Sequence, residues 1–162
     1  MEQKHKKIKV HHVLAYSYMV YFVAVLVGMT LAHFLPYQIF ADNVQYSNYT
    51  GLFCLFLGTL LIFWAQNASR TTHSLRSGHG AIPHEHHFHK GPYKYTRTPT
   101  HLGLDLFLLG FAFIFNSLIM VFVAIAVFII GRKYFVAKQE TLLADIYGIE
   151  YLKYKKSVQG KI

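Results

Sequence analysis

Between Gly91 and Gly103 the chain reads GPYKYTRTPTHLG, a stretch in which aromatic and basic side chains sit between two proline-marked turns. Gly91-Pro92 and Thr98-Pro99 are turn signals, and Tyr93, Lys94, Tyr95 and Arg97 fall between them. Aromatic faces and cations suit an anionic or aromatic ligand at a membrane interface. The same composition also suits a juxtamembrane anchor, with Tyr and Lys or Arg held among lipid headgroups. Just upstream lies HEHHFH, containing His84, Glu85, His86, His87 and His89, with His73 and His79 before it. Imidazoles at such density can bind zinc, copper or nickel. Their spacing defines no closed tetrahedral site, so no metal site is assigned, and a pH-sensitive headgroup-binding loop is the plainer reading. The single cysteine, Cys54, lies inside an apolar run and reads as buried filler.

The elements that must position these residues are set by composition. Of 162 residues, 54% are hydrophobic and 14% charged, which is too apolar for an ordinary soluble domain. A net charge of +9 would suggest nucleic acid in a soluble protein. Here the cations border apolar runs, so they read as topology signals and no nucleic-acid partner is expected. A spanning helix needs about 20 residues. Val13 to Leu35 meets that length, and it reads as a retained span because it is too long for a signal-peptide core and lacks a small-residue cleavage site. Thr50 to Gln66 is shorter, but Tyr46, Tyr49 and Trp64 supply aromatic belts at its two ends. Gly28 and Gly58 suit close helix packing, while His33 and Asn67 read as interfacial polar residues.

The third apolar run, Leu102 to Ile130, is too long for one untilted span and is interrupted by Asn116 and Ser117. A polar pair at mid-run predicts a hairpin of two short helices over 102–135, turning near the far interface. Asp105 and Arg132 then fall near the ends of their helices that face the basic loop. Pro36 to Tyr49 carries no lysine or arginine, whereas Arg70, Arg76, Lys90, Lys94, Arg97, Arg132 and Lys133 share the other side. This positive-inside pattern predicts both termini in the cytoplasm. Leu142, Leu143, Ile146, Ile149 and Leu152 predict an amphipathic helix over 138–156 lying on the membrane, with Gly148 as a break. The expected fold is therefore all-α and polytopic: one membrane domain over 1–162, with spans at 13–35 and 50–66, a cytosolic segment at 67–101, the hairpin, and the C-terminal amphipathic helix.

The order of residues in GPYKYTRTPTHLG resembles the motif G-P-Y-x-x-x-R-H-P-x-Y-x-G of the isoprenylcysteine carboxyl methyltransferase and phospholipid methyltransferase family. Gly91, Pro92, Tyr93, Arg97, Pro99 and Gly103 fall in register with it. After its helical hairpin the family continues with E-E-x-x-L and F-G-x-E-Y-x-x-Y. Here QETLLADIYGIEYLKYKKSV matches or nearly matches at Glu140, Leu143, Tyr147, Gly148, Glu150, Tyr151, Tyr154 and Val158. Three positions depart: Thr98 and His101 stand where the family has histidine and tyrosine, and Gln139 replaces the first glutamate of its pair.

The resemblance implies an integral-membrane methyltransferase that takes S-adenosylmethionine from the cytosol and a lipid or lipid-linked acceptor from the bilayer. In-line methyl transfer requires donor and acceptor to be held in contact with charge balanced, and no catalytic triad. By the resemblance, Arg97 and Glu140 are the catalytic candidates. Cofactor-binding candidates are His89, Gly91, Pro92, Tyr93, Tyr95, Arg97, Pro99, His101, Gly103 and Glu140, since a histidine shortly before G-P-Y, here His87 or His89, lies near the cofactor in the family. The expected setting is a prokaryotic cytoplasmic membrane. Two alternatives stay open: a non-catalytic binding or accessory protein of the same fold, motivated by Thr98, His101 and Gln139, and a histidine-rich membrane metal-binding protein.

Overall fold

The structure, a computed structural model, describes residues 2–40, 43–77 and 91–158. Helix α1 runs over Glu2–Phe34 and α2 over Val44–Ser77, followed after the undescribed segment by a 3-10 turn at Gly91–Lys94. Helix α3 covers Pro99–Ile114 and α4 covers Leu118–Ile130. A π-helical turn at Gly131–Val136 carries α4 directly into α5, Ala137–Tyr147, and α6 closes the described chain at Ile149–Val158. Ala15–Phe34, Val44–Ser69 and Leu118–Tyr147 are each long and apolar enough to cross a membrane, and Pro99–Ile114 is a shorter apolar helix. The protein is an all-helical integral membrane protein.

The helices are inverted relative to a soluble bundle. On α1 the buried residues are Val13, Ser17, Tyr21 and Ala24, with Gly28 one turn further on, spaced by three or four so that they share one face. Large apolar groups such as Phe22, Phe53, Phe56 and Phe63 point outward and are more than half exposed. Small residues inside and bulky apolar ones outside are what lipid solvation allows, because association there rests on close packing rather than on burial of greasy side chains.

The closest packing joins α2 and α3. A Cβ placed on Gly58 would lie 2.7 Å from the Gly103 carbonyl oxygen, and one on Gly51 would lie 2.8 Å from that of Gly110. Both helices carry their two glycines seven residues apart, so two antiparallel stripes meet and the backbones touch. Gly58 was legible as a packing residue from the sequence; its partner was not. Gly28 faces Met120 on α4 at an ordinary 3.4 Å.

The predicted hairpin is present, and Asn116 and Ser117 make its turn. Asn116 adopts φ 46°, a left-handed conformation that asparagine tolerates better than most residues. Its Nδ2 donates to the Phe40 carbonyl at 2.8 Å while its Oδ1 accepts from the Phe40 N–H at 3.0 Å. Leu118 N–H donates to the Tyr37 carbonyl at 2.9 Å, and the Ser117 hydroxyl accepts from the N–H of Met120, capping α4. The connection from α1 thus satisfies the hairpin's free backbone groups, which an apolar environment requires.

The segment expected as an amphipathic helix over 138–156 with Gly148 as a break is two helices, divided at that glycine. Gly148, at φ 59° and ψ −132°, ends α5 and lets α6 fold back on it. The buried face of α6 is Tyr151, Tyr154 and Val158, packed on Leu143, Ala144 and Tyr147, whereas Ile149 and Leu152 are exposed. Tyrosines occupy the inner face because their hydroxyls reach polar partners that aliphatic side chains could not satisfy.

Candidate functional site

Pro99 occupies the first turn of α3, where its fixed φ and missing N–H cost nothing. The preceding loop is thereby held at the end of α2. Gly91 adopts φ 58°, and a Cβ there would stand 3.0 Å from the Ala68 Cβ and 3.3 Å from the Trp64 indole nitrogen. Pro92 is buried, its carbonyl accepts from the N–H groups of Tyr95 and Thr96, and the Tyr93 hydroxyl lies 3.1 Å from that of Ser69. The GPY turn is a rigid plug seated on α2.

From this loop Arg97 points toward α5. Its Nη1 lies 2.8 Å from Glu140 Oε1, while Lys155 Nζ of α6 lies 2.8 Å from Glu140 Oε2. The Glu140 side chain is 14% exposed, so the pairing sits largely out of water, where an ion pair is screened less than at an open surface. A second link joins the same elements: the Tyr154 hydroxyl donates to the Tyr93 carbonyl at 2.7 Å. The two blocks separated by the hairpin in sequence are therefore one site in space. Burial pushes the Tyr151 and Tyr154 phenols well above the ordinary tyrosine range, with Glu140 beside Tyr151 and Tyr93 beside Tyr154 acting in the same direction. Both stay neutral hydroxyl groups at physiological pH.

A cleft of about 200 Å³ opens between loop and hairpin, lined by Thr96, Arg97, Thr98, Arg132, Val136, Ala137 and Glu140. Its far wall belongs to the π-helical turn, a local widening of the helix that recurs at functional sites. Arg132, also set over the Phe128 ring at 5.5 Å, gives the cleft a second guanidinium.

Below the cleft, between α1 and α3, lies a polar group that sequence reasoning noted only as an isolated charge near a helix end. The Tyr21 hydroxyl donates to Asp105 Oδ1 at 2.6 Å, and Arg132 is the nearby cation. His101 is 5% exposed, its ring centroid 6.4 Å from that of Tyr21. Gln139 is its polar neighbour, although neither ring nitrogen reaches hydrogen-bond geometry. Two of the three departures from the motif, His101 and Gln139, thus face each other across α3 and α5.

Of the candidates named from sequence, Arg97 and Glu140 line the cleft. Tyr93 contributes its carbonyl to the fastening of α6, and Gly91, Pro92 and Pro99 shape the loop. Tyr95 is 58% exposed, outside the lining. Gly103 sits in the α2–α3 contact, where a Cβ would meet Ile62 at 2.6 Å. His89 and the whole run from His79 lie outside the described residues. Among the described residues no group of three or more His, Cys, Asp or Glu side chains is placed to hold a metal ion. Sequence reasoning missed Lys155, Thr96 and the Tyr21–Asp105 bond. A carboxylate inside an apolar run is itself a signal for Asp105. No local pattern marks Lys155, because its approach to Glu140 depends on the fold-back at Gly148.

Comparison with known proteins adds one family. The model of phospholipid methyltransferase matches residues 46–150, which covers α2, the loop, the hairpin and α5. No curated protein and no solved structure matches the chain.

Proposed function

This chain belongs to the phospholipid methyltransferase family, and from that premise we propose that it transfers a methyl group from S-adenosylmethionine to a lipid or other amphiphilic acceptor at the cytoplasmic membrane face. The observation that carries the reading is the Arg97–Glu140 pair, which draws two distant family-like blocks into one cleft. The donor set fits the cofactor's charged end. A zwitterionic amino-acid group needs a carboxylate for its ammonium and a guanidinium for its carboxylate, and the cleft offers Glu140 with Arg97 and Arg132. A volume of about 200 Å³ is below the roughly 300–1,000 Å³ of a complete ligand pocket, so the cleft would take that end alone.

When bound, S-adenosylmethionine supplies an electrophilic methyl group on a cationic sulfur. The chain's own contribution is positional. Arg97 is paired with Glu140, which holds the guanidinium at the cleft rather than free in water. Neutral Tyr151 and Tyr154 pack the cytosolic side and restrict solvent without adding charge. On the other side the hairpin presents apolar helices to the bilayer, a route for an acceptor with an acyl or prenyl chain. The basic residues Arg97, Arg132, Lys133, Lys138 and Lys155 gather at this end of the helices, in support of a cytoplasmic orientation and of a site open to a soluble cofactor.

Calorimetric titration of S-adenosylmethionine into the protein in detergent tests this reading, with adenosine as a control. Saturable binding should weaken by about tenfold in Glu140→Gln, because that change removes the carboxylate that would meet the ligand's ammonium. Absence of binding by folded protein would refute the cofactor assignment. A second reading, a non-catalytic binder of the same fold, is favoured by Thr98, His101 and Gln139. Cofactor binding without methyl transfer to any fraction of a lipid extract would select it.

A further inference from the structure

Glu140 is over-supplied with cations. Arg97 alone balances its charge, yet Lys155 reaches the second oxygen at the same 2.8 Å, and Arg132 lies across the cleft. One carboxylate is therefore paired with two cations, and Arg132, which also neighbours Asp105, lines the same cleft. Lys155 differs from the other two in how it is held. Its side chain is 34% exposed, against 20% for Arg97, and it comes from α6, which the chain anchors independently through Tyr151, Tyr154 and Val158. Removing the Lys155 ammonium from Glu140 would leave that packing and the Tyr154 hydrogen bond intact. A compact ammonium on a flexible four-carbon stem can swing into water at small cost, whereas the Arg97 guanidinium is the more enclosed of the two cations.

We infer that Glu140 Oε2 is an ammonium subsite and that Lys155 holds it as a tethered stand-in that an α-amino-acid ligand must displace. This rests on the reading of Glu140 given above. The displaced lysine moves out to solvent, the ligand's ammonium takes its place on Oε2, and the ligand's carboxylate faces Arg97 and Arg132. The exchange swaps one cation for another, so the local charge around Glu140 is unchanged by the ammonium and gains only the ligand's carboxylate. Lys155 thereby sets a threshold: ligands that lack an ammonium cannot open Oε2, and ligands that carry one pay for the displacement of a lysine already in position.

The consequence has an unusual sign, because deleting a residue that touches the site should tighten binding. Lys155→Met keeps the apolar stem and removes the charge. It should bind S-adenosylmethionine and S-adenosylhomocysteine about two- to fivefold more tightly than wild type, the equilibrium equivalent of a partly exposed ion pair. Methylthioadenosine, which has no amino-acid end, should bind both proteins equally. Lys155→Arg, with the cation retained, should bind no more tightly than wild type. Titration calorimetry on the full chain in detergent, with circular dichroism to establish equal helix content, reads all of this without recourse to activity. Unchanged affinity in Lys155→Met would overturn the stand-in role while the cofactor reading survived. Weaker binding would overturn it as well, by assigning Lys155 to the ligand's carboxylate. Absence of nucleoside binding by both proteins would refute the cofactor reading and the subsite with it.

Discussion

Gly58→Ala tests whether contact between α2 and α3 backbones sets the architecture. The added methyl would lie 2.7 Å from the Gly103 carbonyl oxygen and 3.0 Å from the Phe107 nitrogen, both backbone atoms that no rotamer change can move aside. The two helices must then part by several tenths of an ångström along a seam that also includes Gly51 and Gly110. Overpacking of a tight interior costs roughly 1–3 kcal/mol. Alanine regains about 0.5–1 kcal/mol over glycine in a helix interior, so the net loss should be about 1–2 kcal/mol. Gly28→Ala is the internal control. Its methyl would meet the flexible Met120 side chain at 3.4 Å, so the change should be neutral or stabilising by up to about 1 kcal/mol. Fraction folded against SDS mole fraction, followed by circular dichroism, gives both values. Because α3 begins two residues after Arg97, Gly58→Ala should also weaken S-adenosylmethionine binding, whereas Gly28→Ala should not. Equal stability of the two variants would refute the reasoning, since it would mean that the helices are not held at backbone contact.

Asn116→Ala removes both hydrogen bonds to Phe40 and places an alanine at φ 46°, so it should cost about 2–3 kcal/mol in the same SDS assay. Asn116→Gly, which accepts that φ, should recover a part of the loss; equal effects would mean that the conformation contributes nothing. Tyr154→Phe strips the donor from the Tyr93 carbonyl and should destabilise by about 1 kcal/mol, with faster amide exchange in 149–158 as the sign that α6 has loosened. Unchanged exchange there would show that apolar packing alone fastens α6.

The hairpin was legible because Asn116 and Ser117 are polar where the bilayer tolerates only satisfied groups. What the sequence could not show was their partner: Phe40 lies 76 residues away, and the hydrogen bonds to it form only once α1 and the hairpin are side by side. The stripe of Leu142, Leu143, Ile146, Ile149 and Leu152, expected to lie on the membrane, leaves Ile149 and Leu152 exposed, and it did not mark the face of α6 that packs inward. Periodicity ranks residues by apolarity, but the surface against which α6 packs offers a carbonyl, and Tyr154 answers it. Gly103 shows the same limit from the other side. A motif position suggested ligand contact, and the geometry finds a helix seam at that residue.

The amino-acid order alone determined that this is a helical membrane protein, since apolar run length, aromatic belts and the distribution of lysine and arginine are local quantities that answer directly to the thickness and charge asymmetry of a bilayer. It also marked which residue types could meet an anionic or aromatic ligand at the interface. Only the tertiary structure decided that Arg97 and Lys155 share the Glu140 carboxylate, and that Tyr21 binds Asp105 across 84 positions. Contacts of that kind depend on how two glycine-lined helices approach and on where a single glycine folds the chain back. Neither leaves a periodic trace in the sequence, because each is fixed by the sum of many packing contacts rather than by any one neighbourhood of residues.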